Sequence, residues 1–166
     1  MKSFVFVLLL SLLSCNNEIK NKETLNGKIE RFKKIILPKN KLLNRKQLKI
    51  VTYINGDCYA CVKELEEWKE WLVRDSINIR FLFIYESTDT AHFNSYIKKY
   101  FNIEYPLVYD NESEYLSKNN INKYDKMFQT FLLDKNDSVI LVGNPFLNKK
   151  LAELYRKEIE KRAKRQ

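Results

Sequence analysis

Glycine and proline are scarce in this chain, with three of each among 166 residues. That excludes collagen-like repeats and long Pro/Gly-rich disorder. A hydrophobic fraction of 45% beside 31% charged residues fits a globular protein. Histidine is scarcer still: His92 stands alone. Zinc wants four N, S or O ligands, usually from paired Cys and His, so no metal site is expected. The apolar run Phe4 to Leu13 is about half of the roughly 20 residues that a membrane-spanning helix needs. No internal repeat is found. What the chain does have is three cysteines, Cys15, Cys58 and Cys61, and a charge of +9.

The N-terminus, "MKSFVFVLLLSLLSC", places Lys2 before the apolar run and a small residue, Ser14, after it. This is the layout of a signal peptide, residues 1–14, removed from the mature protein. Leu12-Leu13-Ser14-Cys15 resembles the lipobox of bacterial lipoproteins, and on that resemblance Cys15 carries the lipid. The rival is an ordinary secretory signal with an incidental Cys. Losing Lys2 leaves 29 basic against 21 acidic residues. The excess concentrates in Lys20 to Lys49 and Lys149 to Arg165. An exported protein meets no nucleic acid in normal work, and lysines beside an anionic membrane gain about 1 kcal/mol each. Membrane proximity is thus the simpler account, and the mixed-sign "RKEIEKRAKRQ" reads as a solvated helix face.

Residues 15–43 form a lipidated tether. Within it Ile29 to Leu37 fits either a helix or, preferably, an edge strand ending at Pro38. The domain proper is 44–166. "LKIVTYI" (Leu48–Ile54) is a buried parallel strand. After Asn55-Gly56-Asp57, the spacing of Cys61, Leu65, Trp68 and Leu72 predicts a helix over 58–74. A strand over 77–87, a helix opened by Thr88-Asp89-Thr90 with Phe93, Ile97, Tyr100 and Phe101 inward, a short strand over 105–110 and a short helix over 112–118 follow. A hairpin pairs 128–134 with 138–143, and Asn148 caps a last helix. The order implies an α/β architecture, a mixed central sheet flanked by helices on both faces.

With C-x-x-C at the first strand-to-helix junction, this arrangement resembles the thioredoxin fold. "CYACVKE" is similar to the C-x-x-C-x-x-E pattern of membrane-tethered TlpA-like thiol reductases, and "QTFLLDKNDSVILVGNP" to their T-F-L-I-D segment. The strand "YPLVYD" and its helix resemble an insertion shared with peroxiredoxins. The resemblance spans about 44–166.

A thiolate is the reactive form of cysteine, and a helix start favours it over the ordinary pKa of about 8.5. Cys58 is therefore the expected nucleophile and Cys61 the resolving thiol of a redox disulfide, with no cofactor. Haem attachment is excluded by Val62 where His is needed. A peroxidase would need Thr at position 55, where Asn55 stands. A purely structural disulfide is the weaker reading, because so short a loop restrains the unfolded chain little.

Tyr59-Ala60 between the cysteines lacks the His of strong oxidants. Asp57 replaces the usual Trp, and its carboxylate opposes thiolate formation, so a reductase is expected. Asp57 can equally cap the helix. The resemblance implies a buried proton-relay role for Glu64; a solvated surface Glu is an equal alternative. Glu66 stands where relatives carry Pro. Phe128 stands where the family has a cis-Pro, which puts substrate docking in question and leads us to expect a trans peptide there. Pro106 starts its strand. His92 reads as helix surface and Trp68 as core.

The implied partners are protein disulfides, a membrane electron donor and, through the lipid anchor, a bacterial membrane, with the domain facing the periplasm and no nucleic acid bound. The alternative is a redox-inactive thioredoxin-like binding module.

Overall fold

The computed structural model describes residues 32–38, 47–74, 79–100 and 106–163. Met1–Lys33 and Lys34–Gln166 are separate units. The signal-peptide, Cys15 and 16–26 tether readings lie outside the described residues. In the second unit the elements run β1 (Lys49–Asn55), α1 (Tyr59–Arg74), β2 (Arg80–Glu86), α2 (Thr90–Tyr100), β3 (Leu107–Tyr109), α3 (Glu114–Lys118), β4 (Thr130–Leu133), β5 (Val139–Val142) and α4 (Lys149–Ala163).

The sheet order is β3-β2-β1-β4-β5. β1, β2 and β3 are parallel, and β4 and β5 run antiparallel to their neighbours. β1 lies in the middle. Its "KIVTYIN" is buried on both sides except at Asn55, because a central strand between two layers has no solvated face.

Strand side chains alternate between faces. Ile50, Ile54, Phe81, Phe83, Tyr85 and Leu132 join one cluster with Leu65, Trp68 and Trp71 of α1, Phe93 and Ile97 of α2, and Tyr155 and Ile159 of α4. The alternate residues, Val51, Tyr53, Leu82, Ile84, Phe131 and Leu133, are buried too. Beside them Ile35, Tyr115, Leu116, Ile121 and Phe128 are buried apart from the first cluster. Three helices, α1, α2 and α4, thus contribute to the first cluster, and the short α3 contributes Tyr115 and Leu116 to the buried residues outside it. Thr52 and Thr130, paired across β1 and β4, satisfy each other's hydroxyls at 2.7 Å, so neither is a buried polar orphan.

The expected stripe on α1 is wider than Cys61, Leu65 and Trp68, since Val62 and Trp71 are also buried. The side chains of Leu72 and Tyr100 and the whole of Phe101 lie outside the described residues. Of the edge strand expected over 29–37, residues 29–31 lie outside the described residues, and the rest makes one bridge, Lys34 to Ser138. Asn119 explains why: it accepts from Ile36 N–H at 2.7 Å and donates to Ile36 C=O at 2.9 Å, so a side chain takes the place of a neighbouring strand. β4 starts two residues later than expected, because Lys126–Phe128 close a 3-10 turn. Asn148 caps α4, accepting from Lys150 N–H at 2.9 Å.

Candidate functional site at the start of helix α1

The parallel strands end together, and the chain leaves β1 through a tight junction. Gly56 N–H donates to Glu86 C=O at 2.7 Å and Cys58 N–H to Asn55 C=O at 3.2 Å. Gly56 is required by space: a Cβ there would lie 2.9 Å from both Phe93 Cδ2 and Ser87 Cβ. Cys58 then stands just before α1, and its carbonyl accepts from Val62 N–H at 3.0 Å, the first full helical bond.

Cys58 and Cys61 form a disulfide with Cα atoms 5.2 Å apart. Cys61 N–H also donates to Cys58 Sγ at 3.3 Å. A backbone donor at the positive end of a 16-residue helix thus already points at the sulfur that would carry negative charge on reduction. Cys58 is half-buried, while Cys61 is 9% exposed and packed in the core. One sulfur can be reached and the other is sheltered.

Glu64, one turn on from Cys61, is half-buried. Asn144 Nδ2 donates to its Oε1 at 2.9 Å, and Lys126 Nζ lies 3.4 Å from Oε2. Burial raises its pKa, and Lys126 and Asn144 only partly offset that. Glu64 is thus partly sheltered, neither fully buried nor freely solvated.

Asp57 does something sequence reasoning missed. Its carboxylate accepts from Ser87 Oγ at 2.9 Å, from Thr88 N–H at 2.9 and 3.1 Å, and from Thr88 Oγ1 at 3.1 Å. It clamps the β2–α2 loop, where the sequence suggested a cap for its own helix. The slight desolvation of this exposed group favours the neutral form, but these bonds and the charge of Lys123 outweigh that and hold the carboxyl below its ordinary value. The only sequence signal was the pair Ser87-Thr88, two hydroxyl residues at the end of a strand.

Phe128 is 2% exposed. Gln129, next to it, gives its carbonyl to Tyr53 N–H at 2.9 Å, tying this loop to β1. The described residues contain no cis peptide bond. Trp68 is core, 1% exposed. His92 is exposed on α2 and lines an open groove of about 340 Å³ between α1 and α2. Among the described residues, no group of three or more His, Cys, Asp or Glu is placed to hold a metal ion, and no helix is long and apolar enough to cross a membrane.

No protein-family model matches the chain, and no curated protein matches it. Solved structures do. The crystal structure assigned as the thiol:disulfide interchange protein DsbE from Chlorobium tepidum aligns with a TM-score of 0.56 at 11% identity, over 70% of this chain and 82% of that one. The fold is thioredoxin-like. The thioredoxin domain of a thiol-disulfide oxidoreductase from Bacteroides vulgatus aligns with a TM-score of 0.55 at 13% identity, over 76% and 91%. A solution structure from Bacteroides thetaiotaomicron, assigned as a protein disulfide isomerase, gives 0.50 at 16%, over 70% and 75%. At such identities the likeness establishes the thioredoxin-like architecture alone; the chemistry has to come from the site.

Proposed function

We propose that this chain is a lipid-anchored envelope thiol-disulfide oxidoreductase working as a reductase. The observation that carries this is the pairing of a reachable Cys58 at a helix start with a sheltered Cys61 whose N–H already donates to the Cys58 sulfur. In the reduced protein the Cys58 thiolate attacks one sulfur of a substrate cystine. A new S–S bond forms, the substrate's S–S bond breaks, and one substrate sulfur leaves as a thiolate and takes up a proton. Cys61 then loses its proton and attacks Cys58, expelling the second substrate thiol. Two electrons have moved from the protein's dithiol to the substrate, and the Cys58–Cys61 disulfide remains.

On this reading Glu64 accepts the Cys61 proton, and its place one helical turn away and its raised pKa from burial support that. The reductase direction is supported by Asp57, a charged neighbour that disfavours the Cys58 thiolate and so makes the couple more reducing than in low-pKa oxidases. A dithiol donor on the membrane side must recharge the pair, and the lipobox-like Cys15 supports a tether that keeps the domain near it.

The test is reduction of a protein disulfide by the full-length chain with a thiol donor. Turnover that disappears in Cys58→Ser supports the enzyme. A wild-type chain without turnover would leave a redox-inactive binding module.

A further inference from the structure

We propose that the groove between α1 and α2 seats a basic side chain, Lys or Arg, beside the substrate cystine. This deepens the thiol-disulfide exchange reading above and rests on it. The groove is contiguous with the disulfide, since both chain neighbours of Cys58, Asp57 and Tyr59, line it. Tyr59 is 73% exposed. Val62, Phe93 and Tyr96 make the rest of an apolar and aromatic wall, and Asp57 and Asp89 supply carboxylates.

That combination fits one side-chain class. A lysine or arginine has an apolar stem for the wall, a cation that aromatic faces attract, and a charge that carboxylates complement. The volume of about 340 Å³ lies at the low end of small-molecule sites, roughly 300–1,000 Å³. It suits a side chain or two better than a folded surface.

Asp57 commits both oxygens to Ser87 and Thr88 and acts in the groove through its charge alone, whereas Asp89 is not spent. Asp89 gives Oδ1 to His92 N–H at 2.8 Å, and its other oxygen has no protein partner among the described residues. Asp57 is kept ionised by its bonds to the loop. Gly56 supports the shape by letting Phe93 approach the backbone at the groove floor. The chain's overall charge of +9 repels a basic peptide. Any preference for one must therefore arise locally, within a Debye length of about 8 Å.

The experiment uses the full-length reduced chain and three disulfide-linked peptides that differ at the residue next to Cys: Lys, Gln or Glu. We expect the Lys peptide to be reduced about three- to five-fold faster than the Gln peptide, the upper part of the range of an exposed ion pair. The Glu peptide should be slowest. The Lys-to-Gln ratio should fall toward one in Asp89→Asn, whose side chain still caps α2, and at high salt. Because the ratio is compared between chains, differences in the peptides' own thiols cancel.

A second readout needs no rates. In Cys61→Ser, the trapped mixed disulfide with the Lys peptide should shift the amide signals of Asp89, Phe93 and Tyr96 relative to the Glu-peptide adduct. Equal rates for the three peptides, or a ratio that Asp89→Asn leaves intact, overturn the groove while exchange stands. Shifts confined to Lys123–Met127 do the same. No exchange with any peptide overturns both readings.

Discussion

The two flanks of helix α1 meet their neighbours in opposite ways. On one, Trp68 packs edge-on against Trp71 and Phe146 and tilted against Phe81, with ring centroids 4.5 to 5.7 Å apart, and Glu64 is bonded to Asn144 and Lys126. That flank is closed. On the other, Tyr59 and Val62 border the open groove toward α2. Each flank contributes one carboxylate near the disulfide, and burial raises the pKa of Glu64 while donors hold that of Asp57 down. Residue type does not set acid strength here; packing does. The helix is held from one side and leaves Cys58, just before its start, within reach on the other.

The largest effect that can test this division is on chemistry. Cys58→Ser should reduce turnover in a disulfide-reduction assay to the uncatalysed background, whereas Cys61→Ser should accumulate the mixed disulfide, seen as a mass adduct on a non-reducing gel. If Cys61 proves to be the residue that captures substrate, the assignment of reachable and sheltered sulfurs is wrong.

Next comes the closed flank. Trp68→Ala removes a 1%-exposed indole from three aromatic contacts and should cost about 3–5 kcal/mol, read from chemical denaturation. A loss below about 1 kcal/mol would mean that this flank collapses around the gap and is not rigid.

Much of this was legible in the sequence. Runs such as "LKIVTYI" and the spacing of Leu65 and Trp68 carry strand and helix periods that packing enforces, and the C-x-x-C motif marks the junction by itself. The partners of carboxylates were not legible. Glu64 meets Asn144 across 80 residues of chain and Asp57 meets Thr88 across 31, and neither pairing has a local periodicity. The contact of Asn119 with the backbone of Ile36, 83 residues away, was hidden for a similar reason.

Smaller effects separate the flanks by glycine. Gly143 sits at φ +114°, and a Cβ there would lie 2.9 Å from Leu151 Cδ2. Its carbonyl accepts from the buried Tyr155 hydroxyl at 2.8 Å. Gly143→Ala combines backbone strain with crowding and should cost about 1–3 kcal/mol of stability with no change in peptide preference. Gly56→Ala presses on Phe93 and Ser87 and should cost a similar 1–3 kcal/mol, yet it should also erode the Lys-to-Gln rate ratio, because it disturbs the groove floor. Identical behaviour of the two variants in both assays would erase the distinction.

The smallest effects are in pH. Glu64 binds its proton more tightly in the folded chain than in the unfolded one, so folding loses stability as pH rises through the ordinary glutamate range and up to the raised folded pKa. Glu64→Gln keeps an acceptor for Asn144 and does not titrate. Its melting temperature relative to wild type should therefore climb as pH rises from the ordinary glutamate range toward the raised folded pKa, and level off above it. Asp57 is the reverse case: its folded pKa is lowered, so its contribution is present above the ordinary aspartate range and disappears as pH falls through the folded value. Asp57→Asn should accordingly lose stability relative to wild type at about pH 7 and regain it as pH falls below the ordinary aspartate range, by a margin that added salt shrinks because the group is exposed. Opposite slopes for the two variants would establish that one flank charges the folded state for its carboxylate and the other rewards it, and parallel slopes would mean that both carboxylates see the same solvent.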